Sequence, residues 1–186
     1  MWRPRLKVVA AVYALLAAAN LCAQQSRPSE YQVKAVYLYN FGRFISWPAN
    51  SKGAKGESFT FCVLGRDPFG PSLDATLAGQ TINGKDTAVK RVSKPEDALG
   101  CRILFISSSE KKGLKDILSA LDQANVLTVS DIPDFSRRGG MIQFVLEGDK
   151  VRFEVNLTAA ENAGLVLSSE LLKVASAVRR NAHAGD

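Results

Sequence analysis

The sequence predicts an α/β fold: a three-layer sandwich with a mixed, partly parallel sheet and a C-terminal β-hairpin followed by helices. Short apolar runs at 59–64, 101–106 and 126–129 are typical of strands buried on both faces of a parallel sheet. Segments with helical periodicity separate these runs, as expected when crossover helices join parallel strands. Residues 141–146 and 151–155 flank a Glu-Gly-Asp-Lys turn, which predicts the hairpin.

The first 23 residues have the composition of a secretory signal peptide. Three basic residues near the start precede an uncharged run at 8–19, and Leu-Cys-Ala follows at 21–23. This apolar run is shorter than the roughly 20 residues that a membrane-spanning helix needs. We therefore expect cleavage after Ala23, which leaves 24–186 as a single exported domain. The alternative is a lipoprotein in which Cys22 is acylated and retained.

Charge and residue types exclude several classes of function. The formal net charge of +6 falls to +3 after cleavage, and no long basic run remains, so we expect no nucleic-acid partner. The only histidine, His183, lies close to the C-terminus, which excludes Ser-His-Asp and Cys-His catalysis and histidine-rich metal sites. Neither a phosphate loop nor a calcium-binding acidic motif is present. We expect no catalytic residue, no metal and no cofactor, and enzymatic activity is the least supported class.

The first helix is predicted over 30–46. Ser29 and Gln32 have capping-box spacing, and the Trp47-Pro48 pair stops the helix. Aromatic side chains are concentrated here, including Tyr39 and Trp47. Either core packing or an aromatic partner surface explains them. The apolar stripe of this helix consists of Val33, Tyr37, Phe41 and Phe44.

Further elements follow from capping signals. Asp67 as N-cap and Pro68 as first helical residue predict a short helix toward Leu77. A capping box at 107–110 predicts a helix to about Gln123. A strand over 87–92 and two C-terminal helices that start at Thr158 and Ser168 complete the prediction.

A ligand crevice is predicted at one edge of the sheet. If the strands that end at Leu64, Ile106 and Val129 are parallel, the loops after them emerge at the same carboxyl edge, where open α/β sheets bind ligands. Helix N-termini at this edge would favour a carboxylate or another anion. The alternative is that these residues act only as caps and turn formers. The candidate crevice residues are Asp67, Ser108, Ser109 and Asp131.

Cys62 and Cys101 are the two cysteines of the processed chain. An even pair in an oxidising compartment favours a disulfide. The bridge would be either a structural staple or a link whose redox state changes activity, and two buried free thiols are the third possibility. Because neither cysteine belongs to a Cys-x-x-Cys pair, a disulfide-exchange enzyme is not expected.

Taken in order along the chain, a series of motifs resembles the YfiR family of exported regulators. No single motif is specific, but the series spans nearly all of the processed chain. It consists of Tyr39-Asn40-Phe41 with Phe44 and Trp47-Pro48, Cys62-Val63-Leu64-Gly65, Asp67-Pro68-Phe69-Gly70, Cys101 with Ile103-Leu104-Phe105-Ile106, Val126 to Asp131, Gly139-Gly140-Met141-Ile142 with Phe144, Arg152 to Asn156, and Ser168-Ser169 with Leu171-Leu172.

This resemblance implies a periplasmic protein that binds the periplasmic sensor region of an inner-membrane diguanylate cyclase and represses it. Cyclic di-GMP and biofilm formation would then fall. The resemblance also implies a homodimer and an outer-membrane lipoprotein as a second, sequestering partner. An alternative is a periplasmic protein that binds a small molecule and presents it to a membrane receptor such as a histidine kinase.

The resemblance also bears on the roles of individual residues. Cys62 and Cys101 match cysteine positions common in the family, where a redox influence is suspected. Ser136 and Gln143 lie where some relatives carry a second cysteine pair, which weakens a redox-switch interpretation for this chain. Because repression by contact needs an apolar anchor, Tyr39 and Trp47 are candidate partner-binding residues.

Overall fold

The computed structural model describes residues 27–49, 57–122 and 124–180. The predicted signal peptide with Cys22, residues 50–56 and His183 lie outside the described residues. Within the described ranges, no helix combines the length and the apolar character that crossing a membrane requires.

An eight-stranded sheet forms the middle layer. Its strands are β2 (Phe59–Leu64), β3 (Thr81–Ile82), β4 (Lys85–Val92), β5 (Ile103–Ile106), β6 (Leu127–Ser130), β7 (Ile142–Glu147), β8 (Lys150–Asn156) and β10 (Ala177–Arg179). They lie side by side in the order β10-β8-β7-β6-β5-β2-β4-β3. Strands β4, β2, β5, β6 and β7 are parallel to one another, β8 is antiparallel to β7, and β3 is antiparallel to β4. The C-terminal strand β10 pairs parallel to β8. A separate antiparallel ribbon joins β1 (Ile45–Ser46) to β9 (Val166–Leu167).

Helices cover both faces of the sheet, which confirms the predicted three-layer fold. Alternate residues of the buried strands point to opposite layers: Phe61 and Val63 enter one apolar core, and Cys62 and Leu64 enter the other. The helices are α1 (Glu30–Phe44), α2 (Pro71–Leu77), α3 (Leu114–Ala120), α4 (Leu157–Asn162) and α5 (Ser169–Val174), with short 3-10 helices at Pro95–Ala98 and Ser108–Glu110. Helices α1, α2, α4 and α5 contribute to the first core, and α3 contributes to the second.

Helix α1 begins as predicted but ends earlier, and its buried face is shifted from the predicted stripe. The capping box between Ser29 and Gln32 is present. The helix ends at Phe44, two residues before the predicted end, because Ile45 is extended and pairs with β9. Of the predicted stripe, Phe41 is fully buried and Val33 and Tyr37 are partly buried against the first core, but Phe44 is 39% exposed. The buried residues of α1 are Lys34, Ala35, Leu38, Phe41 and Gly42.

Close approach of α1 to the sheet at Gly42 accounts for this shift. A Cβ on Gly42 would lie 2.6 Å from the side chain of Ile82 and 3.2 Å from that of Phe59. Gly42 and its neighbour Phe41 are therefore buried against the sheet, whereas Phe44 at the end of the helix stays partly exposed.

Two other predicted helix starts were wrong. Asp67 accepts a hydrogen bond from the Phe69 amide at 2.8 Å and so caps a turn, and α2 begins at Pro71 after Gly70, whose φ of +54° favours glycine. Ser107 does accept a hydrogen bond from the Ser109 amide, but it opens only the 3-10 helix, and α3 starts at Leu114.

The C-terminal elements agree more closely with the prediction. The hairpin of β7 and β8 is present, with Glu147 paired to Lys150. Ser168 caps α5 as predicted. Helix α4 is capped by Asn156, two residues before the predicted start, because the Asn156 side chain accepts a hydrogen bond from the Ala159 amide at 3.1 Å.

Candidate functional site

The carboxyl edge of the parallel strands brings the predicted loops together. Strands β2, β5 and β6 are parallel neighbours, as the crevice prediction requires. The four candidate crevice residues nevertheless divide into two groups. Ser108 and Asp131 line one cleft, whereas Asp67 and Ser109 make other contacts.

Asp67 belongs to an ion-pair network around Arg91. The Arg91 Nε donates to Asp67 Oδ2 at 2.9 Å, and its Nη1 donates to Asp74 Oδ1 at 2.8 Å. The hydrogen bond from Arg91 holds the pKa of the Asp74 carboxyl below its usual range. The guanidinium also donates to the carbonyl of Gly70 at 3.2 Å. This network ties the end of β4 to α2 and the loop before it.

Ser109 fastens two loops to each other. Its Oγ accepts a hydrogen bond from the Arg66 amide at 3.0 Å and donates to Glu110 Oε1 at 2.8 Å. Gly65 makes this contact possible, because its φ is +86° and a Cβ there would lie 2.5 Å from Ser109 Oγ. Ser109 therefore holds the loop after β2 against the loop after β5 at the carboxyl edge of the sheet.

A polar cluster joins the first turns of α1 to the end of β6. The Asp131 Oδ2 accepts hydrogen bonds from the Tyr31 hydroxyl at 2.8 Å and from Lys34 Nζ at 2.6 Å. Lys34 Nζ also pairs with Glu30 at 2.5 Å. The Lys34 side chain is only 2% exposed and that of Asp131 is 14% exposed. Burial, followed by the hydrogen bond to Asp131, raises the pKa of Tyr31.

This cluster forms one wall of an open cleft of about 440 Å³, a volume within the usual range of small-molecule sites. The rest of its lining comes largely from β7 and is mostly apolar. Such a combination of charged and apolar surface suits a small polar ligand with an apolar body. The lining residues are Glu30, Tyr31, Lys34, Ser108, Asp131, Pro133, Gln143, Phe144, Val145 and Leu146.

The sequence analysis missed Tyr31 and Lys34. A lysine at position 34 interrupts the buried side of α1, four residues before Leu38 and seven before Phe41. A basic residue inside a helical apolar stripe indicates a buried partner of opposite charge, because an unpaired buried ammonium is costly. That partner, Asp131, is 97 positions away, so spacing alone does not identify it.

Cys62 and Cys101 form a disulfide with a Cα–Cα distance of 6.1 Å. Both residues are buried in the α3-side core, and the bridge links β2 to the segment that leads into β5. This arrangement replaces the free-thiol alternative.

Ser136 and Gln143, which were compared above with a second cysteine pair of some relatives, are buried and contact each other. The Ser136 amide donates to Gln143 Oε1 at 3.0 Å, and the Ser136 Oγ lies 3.2 Å from the same oxygen. Ser136 Oγ also lies 3.1 Å from Glu154 Oε2, and Asn156 donates to the Ser136 carbonyl at 2.9 Å. A polar network thus joins the β6–β7 loop to β7 and β8.

Tyr39 and Trp47, the candidate partner-binding residues, are both half-buried against the first core. Trp47 packs edge-on against Phe59, with ring centroids 5.3 Å apart. The guanidinium of Arg43 lies 5.8 Å from the Tyr39 ring and 5.9 Å from the Phe44 ring. The C-terminal end of α1 therefore presents a cation between two aromatic rings.

Among the described residues, no group of three or more His, Cys, Asp or Glu side chains is arranged to hold a metal ion.

Comparisons with known proteins identify a family and a fold. A family model described as YfiR/HmsC-like matches residues 31–176. No curated protein matches the chain significantly. A crystal structure of a conserved domain protein from Vibrio cholerae O1 biovar El Tor shares 14% sequence identity with a TM-score of 0.54, and the match covers 83% of this chain and 62% of that one. The chain thus spans less than two thirds of that protein, and the likeness shows the fold alone.

A second solved structure is less similar. It is described as an ABC domain in complex with L-Trp from Streptococcus pneumoniae, with 11% identity and a TM-score of 0.47. The match covers 64% of this chain and 55% of that one, and a TM-score this low carries no argument.

Proposed function

The chain belongs to the YfiR/HmsC-like family, and on this premise we propose that it binds the periplasmic sensor region of an inner-membrane diguanylate cyclase and represses it. Lower cyclic di-GMP and less biofilm would follow. The observation that carries the proposal is the family match over 31–176, which spans both apolar cores. Membership supports, in general terms, a periplasmic regulator of diguanylate cyclases that is not itself an enzyme.

The proposed partner surface lies at the C-terminal end of α1. Tyr39, Arg43 and Phe44 form the aromatic and cationic group described above, and Phe44 is 39% exposed. Aromatic residues and arginine are enriched in protein interfaces and dominate their binding energy. Trp47 lies three positions after Phe44 in the chain, and the guanidinium of Arg102 lies 5.7 Å from the centre of its ring. We assign Trp47 to this surface together with a packing role against Phe59.

The genetic test of this function is deletion of the gene. Cyclic di-GMP should rise in the deletion strain, and it should not rise when the membrane cyclase is removed as well. A deletion that leaves cyclic di-GMP unchanged in the presence of the cyclase would contradict the proposal.

Variants of the surface test the contact itself. Phe44→Ala should weaken binding to the cyclase sensor region by roughly tenfold or more, as expected for an interface anchor, without loss of fold. Leu146→Ala is the matched control, because Leu146 is also an exposed apolar residue but lies on β7, away from this end of α1. Tyr39→Ala and Trp47→Ala should also derepress the cyclase. Loss of fold in these two variants would assign Tyr39 and Trp47 to the core instead.

Three finer features belong to the same proposal. We propose that the protein is a homodimer, that an outer-membrane lipoprotein sequesters it, and that the Cys62–Cys101 bridge influences repression by stabilising the fold. Family membership supports a partner of the cyclase type in general. Light scattering of the purified protein tests the dimer, and co-purification with the lipoprotein tests the second partner.

A further inference from the structure

We propose that the cleft between α1, β7 and the loops after β5 and β6 binds a small molecule with a primary ammonium group on a short apolar body, and that Asp131 receives the ammonium. This proposal concerns a ligand of the chain itself and does not depend on the identity of the cyclase.

Charge is the first argument. Glu30 and Asp131 both pair with the single ammonium of Lys34, at 2.5 and 2.6 Å. Two carboxylates against one ammonium leave one excess negative charge at the wall of the cleft. Lys34 is the only basic residue among the described residues that line it. The cleft therefore favours a cation over the anion that the sequence predicted.

The basis for an anion is also missing from the folded chain. That prediction relied on helix N-termini next to Asp67 and Ser108. Helix α2 begins only at Pro71, and Ser108 opens a three-residue 3-10 helix. Neither supplies the aligned N–H groups of a long helix that attract an anion.

Hydrogen bonding is the second argument. The hydroxyl of Tyr31 and the ammonium of Lys34 both donate to the Oδ2 of Asp131. The other oxygen, Oδ1, is buried and has no hydrogen-bond partner among the described residues. An unpaired buried acceptor is unfavourable, and more so when it carries charge. An N–H donor is what this carboxylate lacks.

Asp131 lines the cleft, and its side chain keeps 14% of its surface exposed. Because Oδ1 itself is buried, the ligand must draw it toward the cleft by rotation of the terminal torsion, which is broad in aspartate. An ammonium adds a charge-assisted hydrogen bond, which is roughly twice as strong as a neutral one.

The apolar residues that line the cleft indicate that the rest of the ligand is apolar. Phe144 lies beside the polar cluster, with its ring centre 5.7 Å from Lys34 Nζ, and Leu146, which also lines the cleft, is 57% exposed. Polar groups that fix orientation beside apolar walls that hold the body of the ligand are the usual arrangement of small-molecule sites. Ser108 on the adjoining loop offers a further hydroxyl.

The experiment uses n-butylammonium as a probe, with butyrate as its anionic counterpart, and follows amide chemical shifts of the labelled full-length protein. Butylammonium should cause saturable shifts at Ser108, Asp131 and Gln143 at millimolar concentrations, and butyrate should cause none. Asp131→Asn should weaken binding of butylammonium by about tenfold, the cost of one charge-assisted hydrogen bond. Glu30→Gln, which removes one exposed charge, should weaken it by a smaller factor.

Asp149→Asn is the control variant, because Asp149 lies on the exposed hairpin turn outside this cleft, and it should leave binding unchanged. If Asp131→Asn does not fold, the shift map and Glu30→Gln decide the question. Absence of saturable shifts with butylammonium, equal binding of butyrate, or unchanged affinity in folded Asp131→Asn would each overturn the proposal.

Discussion

Lys34 shows how one residue reconciles a charged side chain with a buried position. Its ammonium contacts two carboxylates and lies 4.3 Å from the centre of the Tyr31 ring. Removing an ammonium from water is costly unless it is paired and hydrogen-bonded. The pairing with Asp131 also fastens the start of α1 to the carboxyl end of β6.

The first prediction concerns this pair. Lys34→Met should lower the free energy of unfolding by about 3 kcal/mol, because it leaves the Asp131 carboxylate largely buried without its cation. Adding Asp131→Asn to Lys34→Met should recover part of that loss, since the only carboxylate then left without its cation is Glu30, whose side chain is 39% exposed. Urea unfolding of the two single variants and the double variant measures the coupling.

Lys173→Met is the control for this cycle, because Lys173 is exposed on α5 and its replacement should change stability by less than about 0.5 kcal/mol. If Lys34→Met is no more destabilising than this control, the pair contributes nothing to the fold.

Among the elements, the loop between β6 and β7 does the most to shape the α3-side layer. Phe135 is fully buried there, and Ser136 enters the polar network with Gln143 and Glu154. Gly140 lets the chain return to β7 directly against the Phe135 ring, since a Cβ at this position would lie 2.1 Å from it. Phe135, Ser136 and Gly140 are therefore packed like part of the core, although other residues of the loop are exposed.

The second prediction tests this packing. Gly140→Ala should destabilise the protein by about 1–3 kcal/mol, because the Phe135 ring must move within a filled core. Gly100→Ala provides the comparison, since no atom lies within 4 Å of a Cβ built there. Thermal unfolding of the two variants measures the difference. Equal melting temperatures would show that the loop accommodates the added methyl group without loss of stability.

For the whole molecule, the disulfide links parts of the chain that the sheet also brings together. Cys62 and Cys101 are 39 positions apart, yet β2 and β5 are direct neighbours. The bridge thus repeats a contact that strand pairing already makes. We expect it to act chiefly on the unfolded chain by restricting its freedom.

The third prediction follows from this role. Replacing both cysteines by alanine should lower the free energy of unfolding by up to about 4 kcal/mol in the chain-entropy model. Affinity for the cyclase sensor region should stay unchanged at temperatures where the variant is folded, as measured by titration calorimetry. Dithiothreitol should destabilise the parent protein and leave the variant unaffected. A folded variant with altered affinity would show that the bridge regulates binding directly.

The sequence by itself determined the layers of this protein. Apolar runs such as Phe59–Leu64 and Ile103–Ile106 predicted buried parallel strands, because such strands need apolar side chains on both faces. The hairpin of β7 and β8 and the caps at Ser29 and Ser168 followed from local rules, since turns and helix caps depend on residues a few positions apart.

Only the tertiary structure decided which face of α1 is buried, where α2 and α3 begin, and which groups meet at the carboxyl edge. Gly42 approaches the sheet and Lys34 meets Asp131 through contacts between distant parts of the chain. Such contacts depend on packing and on the pairing of buried charges, so they cannot be predicted from local sequence spacing. For the same reason, the cleft and the sign of its charge emerged only after the chain was folded.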